Sequence, residues 1–229
     1  MSAGNLDLPP MVLEDVQNLL LLLTLSEAAE YSREDGPFIA DRLKPFIGLV
    51  QYLIRHPVTK DAWSNDERSL LSVSVADALA TYGYQKGDPT ALAKAVTAYH
   101  AALEEVTRER APLQWTRTQN NLGVVLRALG ERKSGTARLE EAVTAFRAAL
   151  EEVARERAPL QWALTQNNLG TALSALGKRG SGTARLEEAV MAYQRALSVF
   201  EAENISFYIE KTRRNLDRTR RILAVREAH

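Results

Sequence analysis

Apolar side chains in this chain recur every three to four residues over long stretches, and no stretch alternates with a period of two. One stretch places Trp115, Leu122, Leu126 and Leu129 at helical spacing, and a second places Leu139, Val143, Phe146 and Leu150. Each pattern marks an amphipathic helix with one face turned inward. Pro112 stands at the opening of the first helix, where a missing N–H is harmless. That helix is expected to end at Gly130, ahead of the turn-forming run "ERKSGT". Ser or Thr is expected to open the second helix. It then runs through "ARLEEAVTAFRAALEEVARER", roughly 30 Å of helix. Glu151 and Arg155 form an i,i+4 pair on its exposed side. The pattern therefore predicts an all-α chain of helix pairs.

The pair is written more than once. "RERAPLQWTRTQNNLG" (Arg108–Gly123) returns 47 residues later as "RERAPLQWALTQNNLG" (Arg155–Gly170), and 31 of 42 positions match between Arg108–Ala149 and Arg155–Ala196. The same step carries Ala95, Val96, Ala98 and Tyr99 onto Ala142, Val143, Ala145 and Phe146, then onto Ala189, Val190, Ala192 and Tyr193. It carries Gly83 onto Gly130 and Gly177, and Asn168-Leu169 onto Asn215-Leu216. In the earliest of these copies Asp88-Pro89 opens the second helix. A catalytic loop is needed once per site, whereas a unit that is stable only by stacking on copies of itself must be repeated. The expected organisation is a degenerate helical pair over residues 1–62, repeats over 63–110, 111–157 and 158–204, and a C-terminal capping helix over 205–229.

These residues resemble the tetratricopeptide repeat. Its Leu-Gly, apolar residue three further on, and Ala-x3-aromatic-x2-Ala stand here as Leu122-Gly123, Leu126, Ala142, Phe146 and Ala149. They recur as Leu169-Gly170, Leu173, Ala189, Tyr193 and Ala196. The family unit is about 34 residues. The 47-residue unit here adds seven between the helix-ending glycine and the Ala-x3-aromatic, and six in the second helix and its exit. Where the family has tryptophan, three before the leucine, this chain has Gln119 and Gln166; its own tryptophans come seven before. The resemblance, over about residues 66–223, is to a long-unit bacterial variant, often the sensor or partner-binding half of larger signalling proteins. It implies a right-handed superhelical array of antiparallel helix pairs, an α-solenoid of nine helices with the first helix of each pair on the concave face.

Composition narrows the chemistry. The 29 basic and 29 acidic residues cancel, so no global field points to nucleic acid or membrane. The absence of cysteine removes disulfides and thiol chemistry. His56, His100 and His229 have no ligand spacing, so no metal is expected. The leucine run 19–23 is flanked by Glu14, Asp15, Glu27 and Glu30, too short an apolar length to span a membrane, and no basic stretch precedes it. A soluble cytoplasmic protein is expected. Gly177, Gly180 and Gly182 neither follow a strand nor precede Lys-Ser/Thr, so they make no phosphate loop. The pairs Glu140-Glu141 and Glu187-Glu188 recur with the unit, as solvated helix surface does. An enzyme is not expected, nor a cofactor.

Two groups of side chains are candidates for binding. Asn121, Asn168 and Asn215 share one register, and Asn120 and Asn167 precede two of them. A primary amide offers a donor and an acceptor together, so a row of them fits a peptide main chain; alternatively the amides tie neighbouring helices together. The resemblance implies the first use, since asparagine at this register grips bound peptides in several family members. The second group lies in the last helix, where residues 205–229 carry seven basic residues against Glu210, Asp217 and Glu227. Lys211, Arg214, Arg218 and Arg221 recur at steps of 3, 4 and 3 and share one stripe, with Arg117 and Arg127 at equivalent positions two copies earlier. Such a row suits an acidic protein or peptide partner, or is the polar outer face of a terminal repeat. The family's clamp for chaperone tails is not reproduced, because its early basic positions hold Val73 and Leu164. Nucleic acid is a poorer partner, given neutral charge and no interleaved aromatics on that helix. A third reading is self-association through the leucine-rich first helix, whose Leu13, Val16, Leu20 and Leu23 form one face within a wider apolar arc.

Overall fold

A computed structural model describes residues 65–132 and 134–228. They form seven α-helices and no strand: α1 (Asn65–Gln85), α2 (Pro89–Glu105), α3 (Pro112–Arg132), α4 (Ala137–Glu152), α5 (Pro159–Arg179), α6 (Ala184–Ala202) and α7 (Ser206–Glu227). The chain divides into two compact units, Met1–Glu105 and Val106–His229. The expected N-terminal pair over residues 1–62, with its leucine-rich helix, lies outside the described residues.

In the first unit α1 packs on α2. Gly87 joins them at a φ of 64°, a backbone conformation that glycine adopts without a Cβ penalty. The carboxylate of Asp88 then caps α2, accepting from the backbone N–H of Thr90 at 2.8 Å and of Ala91 at 3.2 Å. Ala76, Leu92, Ala95 and Tyr99 are buried between the two helices, and the Tyr99 hydroxyl donates to Asp77 at 2.5 Å.

In the second unit each helix packs on the next, and α5 also meets α3 and α7. Within a hairpin the helices are antiparallel. Gly123 lies against Phe146 while Gly130 lies against Leu139; Gly170 lies against Tyr193 while Gly177 lies against Leu186. Across hairpins the first helices run parallel, because Asn120 of α3 meets Asn168 of α5, and further along Gly130 meets Arg179. The core is made of repeated positions: Leu139 and Leu186, Ala142 and Ala189, Phe146 and Tyr193, Ala149 and Ala196 are all buried. A further cluster under the last hairpin joins Ala163, Ala196, Val199 and Phe200 to Trp162, Ile205, Tyr208 and Ile209 of the chain around it. The stacked rings of Phe200 and Tyr208, 5.0 Å apart, dock α7 on α6.

Several local expectations are corrected. Gly130 and Gly177 do not end their helices, which continue to Arg132 and Arg179. Their role is close approach: an added Cβ at Gly177 would stand 2.5 Å from Leu186 Cδ2, and at Gly130 2.8 Å from Leu139 Cγ. Thr136 and Thr183 stand at the N-caps without a side-chain capping bond. Helix α4 stops at Glu152, five residues before the expected Arg157, because Val153 turns extended (ψ 101°) and buries its side chain. With the helix broken there, Glu151 and Arg155 no longer sit one turn apart. Arg155 instead lies over the Trp162 ring at 5.4 Å and donates to Ser198 at 3.1 Å, while Glu151 pairs with Arg108 at 3.4 Å. Arg108 lies over Trp115 in the same way, at 5.8 Å. The duplicated stretch is thus a folded device in which the first arginine returns onto the tryptophan seven residues later.

Placing alanine at Gly177 should lower stability even though alanine is the better helix former by about 1 kcal/mol, because overpacking against Leu186 costs about 1–3 kcal/mol. Thermal unfolding by circular dichroism checks this, with Gly182→Ala, where nothing lies within 4 Å, staying near wild type.

Candidate functional site

Helices α3, α5 and α7 stand side by side, and their shared face holds the sequence-derived candidates. Three of the asparagines form one chain of amides. Asn168 Nδ2 donates to Asn120 Oδ1 at 3.2 Å, and Asn120 Nδ2 donates to Asn121 Oδ1 at 3.4 Å. All three side chains are half-buried. Asn167 is placed differently from its expected groove-lining position. It is only 5% exposed and sits in the seam between α5 and α7, where its Oδ1 accepts from the Thr212 hydroxyl at 3.0 Å. One turn on, Thr171 donates to the Asn167 carbonyl at 2.9 Å and accepts from the Tyr193 hydroxyl at 3.2 Å. Ser174 and Thr219 bond across the same seam at 2.9 Å. The amides of Asn167 and Asn168 thus each bond to a neighbouring helix, Asn167 buried and Asn168 half-buried.

The basic candidates separate in the same manner. Arg127 is tied to Glu131 at 2.7 Å, with its Nε buried and without a partner. Arg117 is exposed on α3. On α7, Lys211, Arg214, Arg218 and Arg221 are all exposed, and none forms an ion pair among the described residues. Lys211 stands 5.8 Å from the Phe207 ring, and Arg221 Nε donates to the Asp217 carbonyl at 3.4 Å. Arg213, by contrast, pairs with Glu201 of α6 at 2.5 Å.

Electrostatics follow from this arrangement. Burial, and then the neighbouring Arg218, hold the Lys178 ammonium below its ordinary pKa, against the opposing pull of Glu131. Burial pushes the Tyr193 phenol up to about 12, although its bond to Thr171 and the charge of Arg127 act the other way. Guanidinium stays charged and amide does not titrate near neutral pH. Among the described residues no group of three or more His, Asp or Glu side chains could hold a metal ion, and no helix is long and apolar enough to cross a membrane.

Two arginines that join neighbouring hairpins were not singled out from the sequence. Arg179, at the end of α5, donates to the carbonyls of Gly130 and Gly135 at 2.7 and 2.6 Å, and to that of Glu131 at 3.3 Å. Arg226, 47 residues later on α7, repeats this on Gly177, Gly182 and Lys178 at 2.6, 2.9 and 3.3 Å. Each guanidinium satisfies carbonyls left over at the end of the preceding first helix and locks the loop that follows it. The available signal was the arginine itself, which stands at 132, 179 and 226 while adjacent positions change. Compared with protein-family models and with curated proteins, the chain matches none.

Alkaline titration should expose the Tyr193 environment. A phenol raised from about 10 to about 12 contributes stability that is fully present below about pH 10 and is lost as pH rises toward 12, up to about 3 kcal/mol. Urea unfolding measured from pH 8 to 11.5 should show that decline, and Tyr193→Phe should flatten it over the same window.

Proposed function

We propose that the chain is a non-enzymatic interaction scaffold of the tetratricopeptide-like kind, an α-solenoid whose helix pairs form a right-handed superhelix. In this reading α3, α5 and α7 line the concave side and receive an extended, acidic segment of another protein. The observation that carries it is the row Lys211, Arg214, Arg218 and Arg221, left without carboxylate partners on α7. In the same unit Arg108, Arg138, Arg147, Arg185 and Arg213 each pair with a glutamate. Aligned guanidiniums repel one another, so their close spacing is favoured when an anionic partner neutralises them. The terminal helix also binds its neighbour through Arg226 and Thr212, which frees the outward stripe from any role in docking α7.

The amides complete the proposal. Asn168 spends its Nδ2 on Asn120, which fixes both side chains, and its Oδ1 remains available for a partner's main-chain N–H. The grip is therefore on backbone, and selectivity comes from charge.

Two measurements test it on an acidic peptide. Arg214→Glu with Arg218→Glu should abolish binding while far-UV circular dichroism stays at the wild-type value. Asn168→Ala should weaken binding by about 1 kcal/mol, with helicity kept and a modest drop in melting from the lost bond to Asn120. Unchanged affinity in both variants would remove the face from consideration. Tighter binding of single-stranded DNA, falling steeply with salt, would replace the acidic peptide with nucleic acid.

A further inference from the structure

Among the described residues five large apolar side chains stand exposed: Leu113, Leu160, Met191, Phe207 and Val225. Three of them occupy a single register, since 113, 160 and 207 are each 47 apart. Each is the second residue of its helix: Leu113 of α3, Leu160 of α5 and Phe207 of α7. They are 68%, 40% and 66% exposed, so the hairpin core does not account for them. Because α3, α5 and α7 run parallel and in register through Asn120–Asn168 and Asn167–Thr212, the three side chains reach the same end of the row. Packed neighbouring helices lie roughly 8–10 Å apart, which sets the spacing between successive rungs. We infer that Leu113, Leu160 and Phe207 form an apolar ladder that takes the apolar side chains of an acidic partner segment.

The occupant's chemistry follows from what surrounds the ladder. One turn further along α3 and α7 stand Arg117 and Lys211, and the Lys211 ammonium lies 5.8 Å from the Phe207 ring. On α7, Phe207, Lys211, Arg214, Arg218 and Arg221 follow at steps of 4, 3, 4 and 3, so apolar rung and cations belong to one stripe. A surface that is apolar at one end and cationic beyond it complements a segment with apolar side chains followed by carboxylates. A left-handed extended segment repeats its side-chain direction every third residue, advancing about 9 Å each time. That step matches the helix spacing, so residues i, i+3 and i+6 of the partner meet α3, α5 and α7 in turn. The inference rests on the acidic-segment reading of the same face and adds the apolar half of its specificity.

The test uses the full chain and two fluorescein-labelled peptides, each ending in four glutamates. One carries leucine at three positions spaced by three, and the other carries serine there. Fluorescence anisotropy should give the leucine peptide at least about tenfold tighter binding. Leu160→Ser with Phe207→Ser should erase that difference while leaving the helicity unchanged. Equal affinity of the two peptides for the wild-type chain overturns the ladder yet leaves the acidic-segment reading standing. Binding of neither peptide removes both. Two further results also overturn the proposed occupant. One is sedimentation showing a dimer that the double variant dissolves, which makes a second copy the occupant. The other is pelleting with phosphatidylserine-containing vesicles that the double variant loses, which makes it a lipid surface.

Discussion

Two helices can approach closely only where one of them has no side chain in the way, and in this chain that place recurs every 47 residues. Gly123 and Gly170 let the rings of Phe146 and Tyr193 lie close against α3 and α5. Gly130 and Gly177 do the same for Leu139 and Leu186 at the other end of each hairpin. Two such contacts per hairpin fix both the distance and the angle between its helices. Since the contacts repeat, each hairpin has the same shape, and the first helices can stand parallel with their equivalent residues adjacent. The amide chain, and the placing of Leu113, Leu160 and Phe207 each at the second position of its helix, follow from that registration.

The joints between hairpins use different chemistry from the joints within them. Inside a hairpin the contact is apolar and tight. Between hairpins much of it is polar: Asn168 to Asn120, Thr212 to Asn167, Ser174 to Thr219, and the two arginines that lock the preceding loops. Buried hydrogen bonds demand correct geometry, because an unpaired polar atom costs about 1–3 kcal/mol. A polar joint therefore specifies register more sharply than an apolar one of equal area. It also divides similar residues by fate. Asn167 and Asn168 are neighbours in the chain, yet one is sealed in the seam to α7 and the other, half-buried, bonds to α3.

Charge is sorted by the same logic. Arginines on the second helices find glutamates on neighbouring turns and neighbouring copies, as Arg147 and Arg185 both do with Glu188. Exposed pairs of this kind contribute little to stability, and among the described residues they leave Arg195 of α6 without a carboxylate partner. On α7 four cations of a single stripe, Lys211, Arg214, Arg218 and Arg221, have no ion pair among the described residues.

How much of this could be read from the chain divides along a physical line. Repetition, helical period, the pairing of helices and the location of the basic stripe were legible, because each depends on residues close in sequence or on a fixed step between copies. Three things were not. The glycines read as helix ends act as contact points, since only the packed neighbour at Leu139 or Leu186 reveals what a Cβ would strike. The early exit of α4 at Val153 depends on that side chain finding a buried place, which outweighs the helical propensity of "EEVARER". And the separate fates of Asn167 and Asn168, or of Arg226 and Arg221, were decided by which neighbour lay across the seam. The sequence determined that like would stand beside like; only the tertiary structure decided which of those groups would be consumed in holding the array together, because hydrogen-bond partners are set by distances between helices that no single helix encodes.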